Sequence, residues 1–185
     1  WIKNSIRENE EVVVTDVTSS FTVLSLQGPR SRDILAKLTT VDLSNDSFPF
    51  ATSQEIEIAY ATVIANRLTY IGELGWELFI PTEFAPDVFD NLLMAGKEFD
   101  LKPAGYHALE HLRSERAYRE YELDLTPEDT PLEAGLGFTV AWDKPEGFIG
   151  LEALLKQKEE GLLKKRLVCF RLKDPKAVLW HEEII

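Results

Sequence analysis

The chain has 185 residues, 44% hydrophobic and 28% charged, the balance of a globular protein long enough to bury a sizeable core. Its formal net charge of −12 excludes generic nucleic-acid binding, which needs a basic surface, and allows a small anionic ligand only where Lys or Arg gather locally. No apolar run approaches the ~20 residues of a transmembrane helix, and nothing at Trp1 reads as a signal peptide.

In chain order, Val12–Val14 and Phe21–Leu26 read as strands separated by the polar turn Thr15–Ser20, and Gly28-Pro29 stops the second. A helix is predicted over Ser31–Leu38, with Ile34, Leu35 and Leu38 on one side, followed by a Ser, Asn and Pro loop over 40–53. Ile56–Ile64 and Trp76–Ile80 read as strands joined through Tyr70–Gly75, and a helix over Phe84–Phe99 turns Val88, Leu92 and Ala95 inward. Two strand–strand–helix units in series predict an α+β fold with a mainly antiparallel sheet, and the missing βαβ rhythm excludes a Rossmann half. Further on come a helix over 105–121, a loop over Asp124–Leu132, a short strand Phe138–Trp142 and a helix over 151–160. Lys164–Leu172 then opens a new strand. Within it, Cys169 excludes an internal disulfide as the only cysteine, fits a reducing compartment, and reads as a buried structural thiol. The start at Trp1 without a Met, and the end at Glu182–Ile185 where a strand begins, make a piece of a longer protein the expectation.

Four strings carry candidate chemistry. In Tyr70-Ile-Gly-Glu-Leu-Gly-Trp-Glu77, two glycines make a tight strand–turn–strand, and Glu77 follows it. A carboxylate there accepts paired hydrogen bonds from an amino-pyrimidine edge, and Tyr70 or Trp76 offers a stacking surface; a plain hairpin with a surface Glu and a core Trp explains the same residues. His107-Ala-Leu-Glu-His111 matches the H-x-x-E-H pattern of inverted zinc peptidases, with both histidines on one helix face, but five common residues also meet by chance. The charges Glu110, Arg113, Glu115, Arg116 and Arg119 read as a solvated helix face, except that Arg113, directly after Leu112, turns toward the core or a ligand. Thr126–Gly135 is a Pro-bounded connector.

Together these strings resemble the glycine-cleavage T-protein (aminomethyltransferase) family over essentially the whole chain. Tyr70-Ile-Gly-Glu-Leu-Gly-Trp-Glu77-Leu is similar to its Y-T-G-E-D-G-x-E-I block, and Leu112-Arg113-Ser-Glu115-Arg to L-R-L-E-x. Thr130-Pro-Leu-Glu133 resembles its region before a short strand, and Phe148-Ile-Gly-Leu-Glu-Ala-Leu154 its D-F-I-G-x-E-A-L block. Ala104-Gly-Tyr-His-Ala-Leu, Thr-Pro-Leu-Glu-Ala-Gly and Leu26-Gln-Gly-Pro-Arg-Ser-Arg look closer to the C-terminal half of FAD-dependent dimethylglycine and sarcosine dehydrogenases.

The resemblance implies a partial folate-binding domain over 1–161 and the start of a C-terminal β-barrel module over 162–185. It implies transfer of a one-carbon unit from a methylated glycine to tetrahydrofolate, with FAD held by an N-terminal domain outside this chain. The expected setting is the mitochondrial matrix or a bacterial cytoplasm, without membrane or nucleic-acid partners. Tyr70, Glu77 and Arg113 become the candidate cofactor contacts, with Glu77 on the pterin's amino edge and Tyr70 packing on or hydrogen-bonding the folate. The T-protein's folate-contacting Arg falls at Leu109, and its key Asp belongs to a segment before Trp1, so no catalytic residue is assigned and little activity is expected of this piece alone. A non-catalytic relative, like the regulatory subunit of pyruvate dehydrogenase phosphatase, is the alternative, and a zinc hydrolase on His107, Glu110 and His111 is the third.

Overall fold

A computed structural model of the chain describes residues 1–161 and 163–179. It divides into two compact units, Trp1–Leu112 and the residues from Arg113 onward.

The first unit is built on a four-stranded sheet of β1 (Phe21–Gln27), β2 (Ser53–Ile58), β3 (Ala61–Asn66) and β4 (Gly75–Pro81). The order is β1-β4-β3-β2, with every neighbouring pair antiparallel. Alternation along each strand sends one set of side chains to each face. On the inner face Trp76, Leu78 and Ile80 of β4 meet Leu26, Ile56, Ile58, Val63 and Ala65, all buried. Ile34 and Leu35 of α1 (Ser31–Leu35), with Val88 and Leu92 of α2 (Ala85–Gly96), close that face. Each such side chain removed from water contributes roughly 1.5–3 kcal/mol. The α+β, antiparallel expectation therefore holds, as do β1, β4 and the inward positions of α2.

Three expectations in this unit need correction. Ile56–Ile64 is two strands, because Ala59 and Tyr60 make a two-residue hairpin between Ile58 and Ala61. Ala59 takes a φ of 55°, the left-handed region such a turn uses, without the Gly or Asn that marks it in a sequence. Val12–Val14 forms no strand; Val13 is 90% exposed, and a lone apolar triplet with no sheet partner gains nothing from extension. The helix after Gly28-Pro29 ends at Leu35, and its last turn tightens through Leu38 N–H donating to the Leu35 carbonyl at 2.9 Å.

In the second unit the described elements are the end of α3 (Tyr106–Glu115), a single 3-10 turn Gly137–Thr139, and α4 (Leu151–Glu160). The expected strand Phe138–Trp142 is that 3-10 turn and its exit. Trp142 Nε1 donates to the Gly137 carbonyl at 3.0 Å, so the segment closes on itself instead of pairing in a ladder. Lys164–Leu172 forms no strand among the described residues; its Leu167 N–H donates to the Glu133 carbonyl at 2.9 Å. Cys169, expected to be buried, is exposed, because no sheet face receives that side of the segment; its thiol lies 3.8 Å from the Ser114 carbonyl. The strand expected at Glu182–Ile185 lies outside the described residues. No helix among the described residues is long and apolar enough to cross a membrane.

Candidate ligand-binding site

The connection from β3 to β4 is tied down locally. Thr69 Oγ1 accepts the N–H groups of Ile71 at 3.3 Å and Glu73 at 3.1 Å. The Leu74 carbonyl accepts the Gly28 N–H at 2.8 Å and Ser31 Oγ at 3.0 Å, so this loop and the exit of β1 hold each other. Its two glycines serve different ends. Gly72 takes a φ of 73°, which costs a side chain dearly. Gly75 lies under the Gln27 carboxamide, where a Cβ would stand 2.2 Å from Gln27 Oε1.

Register then fixes what surrounds Glu77. It is half-buried on β4, a strand with a partner on each side, and its direct neighbours are Ser25 on β1 and Asn66 on β3. Gln27 sits opposite Gly75 on the same outer face and donates Nε2 to Ser25 Oγ at 3.1 Å and to the Leu68 carbonyl at 3.3 Å. The Glu77 carboxylate makes no hydrogen bond or ion pair to another described residue. Its cross-strand neighbours Ser25 and Asn66, and Gln27 two residues along, are neutral, so two acceptor oxygens stand ready for donors from outside. Along the free edge of β1 runs a cavity of about 470 Å³, lined by Ser25 and Gln27 with Ile71, Tyr106, Leu109 and Leu112.

The sequence candidates separate as follows. Tyr70 is half-buried at the start of the turn whose far arm carries Glu77. Trp76, the other candidate stacking ring, is 0% exposed and meets Phe48 edge-on with centroids 6.1 Å apart, so it is a core residue and offers no ligand surface. Arg113 belongs to the second unit and is 5% exposed. Its guanidinium binds Asp124, lies 3.1 Å from Glu120 and donates to the Tyr118 carbonyl at 3.1 Å. His107 and His111 are exposed on α3, and no group of three or more potential metal ligands converges among the described residues. The Thr130–Glu133 string is a capping box: Thr130 N–H donates to Glu133 Oε2 at 3.1 Å, and Glu133 N–H to Thr130 Oγ1 at 3.2 Å. Ser25, Gln27 and Asn66 were not singled out from the sequence. The alternation of Phe21–Leu26 placed Ser25 outward, but only the strand register brings it beside Glu77.

Known proteins resemble this chain over most of its length. Residues 1–144 match the family described as GCVT N-terminal domain. The chain is 42% identical over 177 residues to human mitochondrial sarcosine dehydrogenase, covering 96% of this chain and 19% of that protein. It is 38% identical over 173 residues to human mitochondrial dimethylglycine dehydrogenase, covering 93% and 20%. It is 40% identical over 174 residues to an aminomethyltransferase of Thermoanaerobacter sp. (strain X514), covering 94% and 46%. The chain thus spans about a fifth of these dehydrogenases and under half of the aminomethyltransferase.

Proposed function

Since this chain belongs to the GCVT N-terminal domain family, we propose that it supplies a tetrahydrofolate-binding surface to an oxidative N-demethylase acting on a methylated glycine, of the dimethylglycine or sarcosine dehydrogenase kind. The observation that carries this reading is Glu77: a half-buried carboxylate on a doubly paired strand with no partner among the described residues. A pterin presents an N–H and an NH₂ side by side, and one carboxylate accepts both with charge assistance. The flanking Ser25 and Asn66 are neutral, so neither cross-strand neighbour competes for its charge. The Gln27 side chain lies over Gly75 beside it, and Tyr70 packs on or hydrogen-bonds the folate from the turn.

Arg113 enters through the segment it orders. Held by Glu120, Asp124 and the Tyr118 carbonyl, it fixes the chain that follows α3. Leu109, where the T-protein carries an Arg, lines the cavity beside β1 and makes its wall apolar. Tetrahydrofolate, once bound, supplies the nitrogen that accepts the one-carbon unit. This chain's part is to bind and orient it, which converts a bimolecular encounter into a positioned one. No residue here is assigned to FAD, which in this reading belongs to a region of the parent that this chain does not span. The reading places the parent in a mitochondrial matrix or bacterial cytoplasm, and the change toward a C-terminal barrel module at residue 162.

Calorimetric titration with tetrahydrofolate tests the proposal. Saturable binding is expected, with Glu77→Ala weakening it about 10- to 150-fold, the loss of roughly 1.5–3 kcal/mol from hydrogen bonds to a charged group. Equal binding by the variant removes Glu77 from the site, and no binding by the full-length parent sinks the folate assignment.

A further inference from the structure

The inner face of the sheet carries a second polar feature, independent of the folate reading. Trp76 and Glu77 are consecutive in β4 and point to opposite faces. Two arginines converge at the Trp76 ring: the guanidinium carbons of Arg32 and Arg67 lie 5.9 and 5.8 Å from its centroid. Both Nη2 atoms donate to one acceptor, Asn45 Oδ1, at 2.7 Å each. Arg67 is only 8% exposed, and it also donates to the Phe48 carbonyl.

Two guanidinium charges here face one nearby carboxylate, Asp42, which Ser47 and Ser44 hold ionised by hydrogen bonds and Arg32 helps to hold ionised through space. Neither guanidinium hydrogen-bonds a carboxylate among the described residues. The nearby acid, Asp42, is taken up by Ser44 N–H at 2.9 Å, Ser44 Oγ at 3.0 Å and Ser47 Oγ at 2.5 Å, and Asp33 pairs with Arg30 at 2.6 Å. Three buried donors, Arg32 Nε, Arg67 Nε and Trp76 Nε1, have no acceptor. A buried donor without a partner is costly, and so is a cation whose solvation water nothing replaces. Asn45, exposed and neutral, puts a single amide oxygen between two cations. That geometry suits an oxygen bearing negative charge, which a guanidinium pair binds through paired N–H donors.

We propose that Arg32, Arg67 and Asn45 form a binding site for a small oxyanion, phosphate or carboxylate, on the side of the sheet opposite Glu77. The anion enters from the partly exposed Arg32 and the exposed Asn45 and takes up guanidinium donors that Asn45 alone leaves unfilled. The site anchors the loop around Asn45 and Phe48 to α1 and to the end of β3, and so couples anion concentration to the stability of the first unit.

Thermal melting of the chain in phosphate, acetate and chloride, matched for ionic strength, tests this. Phosphate is expected to raise the melting temperature above chloride by about 2–4 °C, because a ligand bound only by the folded state stabilises it. Acetate matching phosphate assigns the site to carboxylates, and acetate matching chloride assigns it to phosphate. Arg32→Gln is expected to abolish the difference between anions. Asn45→Asp is expected to raise the melting temperature in chloride and to lose the phosphate response, because the acceptor is then built in. If Arg32→Gln does not fold, Asn45→Asp decides alone. Identical melting of the wild-type chain in all three salts overturns the proposal, as does a full phosphate response in Asn45→Asp.

Discussion

The two units of this chain are held together by different physics. In Trp1–Leu112 most of the buried set is a contiguous apolar cluster running from Leu26 to Leu92 through every strand of the sheet, with Ser31 and Arg67 buried beside it. From Arg113 onward the buried residues among those described are Arg113, Glu133 and Ala134, and the contacts that bind them are polar. Arg113 holds Glu120 and Asp124, Arg119 Nε donates to the Ala134 carbonyl at 3.0 Å, Thr130 and Glu133 cap each other, and Lys165 pairs with Asp129 at 2.7 Å. An apolar core tolerates the loss of one polar contact. A small polar network does not, because each removed partner strands another group without water.

The largest expected effects strike the centre of each unit. Trp76→Ala empties the middle of the first core and is expected to cost about 3–5 kcal/mol in urea unfolding, as for other large aromatic deletions. Arg113→Met leaves Glu120 and Asp124 facing each other, and is expected near the lower end of about 3–5 kcal/mol because both acids keep some solvent. Hydrogen exchange separates the two: the first variant should open β1–β4, the second residues 113–139, leaving the sheet protected. Opening of both units by either variant would erase the contrast.

A smaller effect is expected at Gly75→Ala, about 0.5–1.5 kcal/mol, because the new methyl pushes the Gln27 carboxamide aside and off its bonds to Ser25 and Leu68. With Gln27 already shortened to Ser, the same change should cost little. A double-mutant cycle showing simple additivity would contradict the contact.

The mildest expected effect is acidic. The Lys165 ammonium, with the backbone and side chain of Thr126, holds the Asp129 carboxyl down at about 2. A depressed carboxylate contributes its full stability above its ordinary value near 3.8 and loses it as pH falls toward 2. The second unit should therefore loosen between about pH 4 and 2, and Asp129→Asn should flatten that part of the profile, as followed by hydrogen exchange in residues 126–133. An unchanged profile in the variant would place the acid-sensitive group elsewhere.

The same contrast governs what the sequence could reveal. β1, β4 and the inner face of α2 were legible because apolar residues recur with the period of a strand or helix wherever they bury against one core. The β2–β3 turn was hidden because Ala59 adopts a left-handed backbone without a turn residue. In the second unit periodicity misled: Phe138–Trp142 and Lys164–Leu172 carry strand-like apolar residues but join no sheet among the described residues. Glu77 and Tyr70 are proposed from the Gly-Glu-Leu-Gly turn and a family resemblance. Ser25 and Asn66 are not, since a cross-strand neighbour is a property of register between separate strands and not of sequence spacing. Trp76 read as a possible stacking ring because its neighbour in the same string is a surface residue, and only alternation in β4 separates the two.

The most direct test of the account is hydrogen exchange of the chain with and without saturating tetrahydrofolate. Slowed exchange is expected at residues 70–79 and in β1 around Ser25–Gln27, lost in Glu77→Ala, with little change beyond residue 125. Binding that protects the second unit while leaving residues 70–79 unaltered would contradict the assignment of Glu77 and its strand as the folate-holding face.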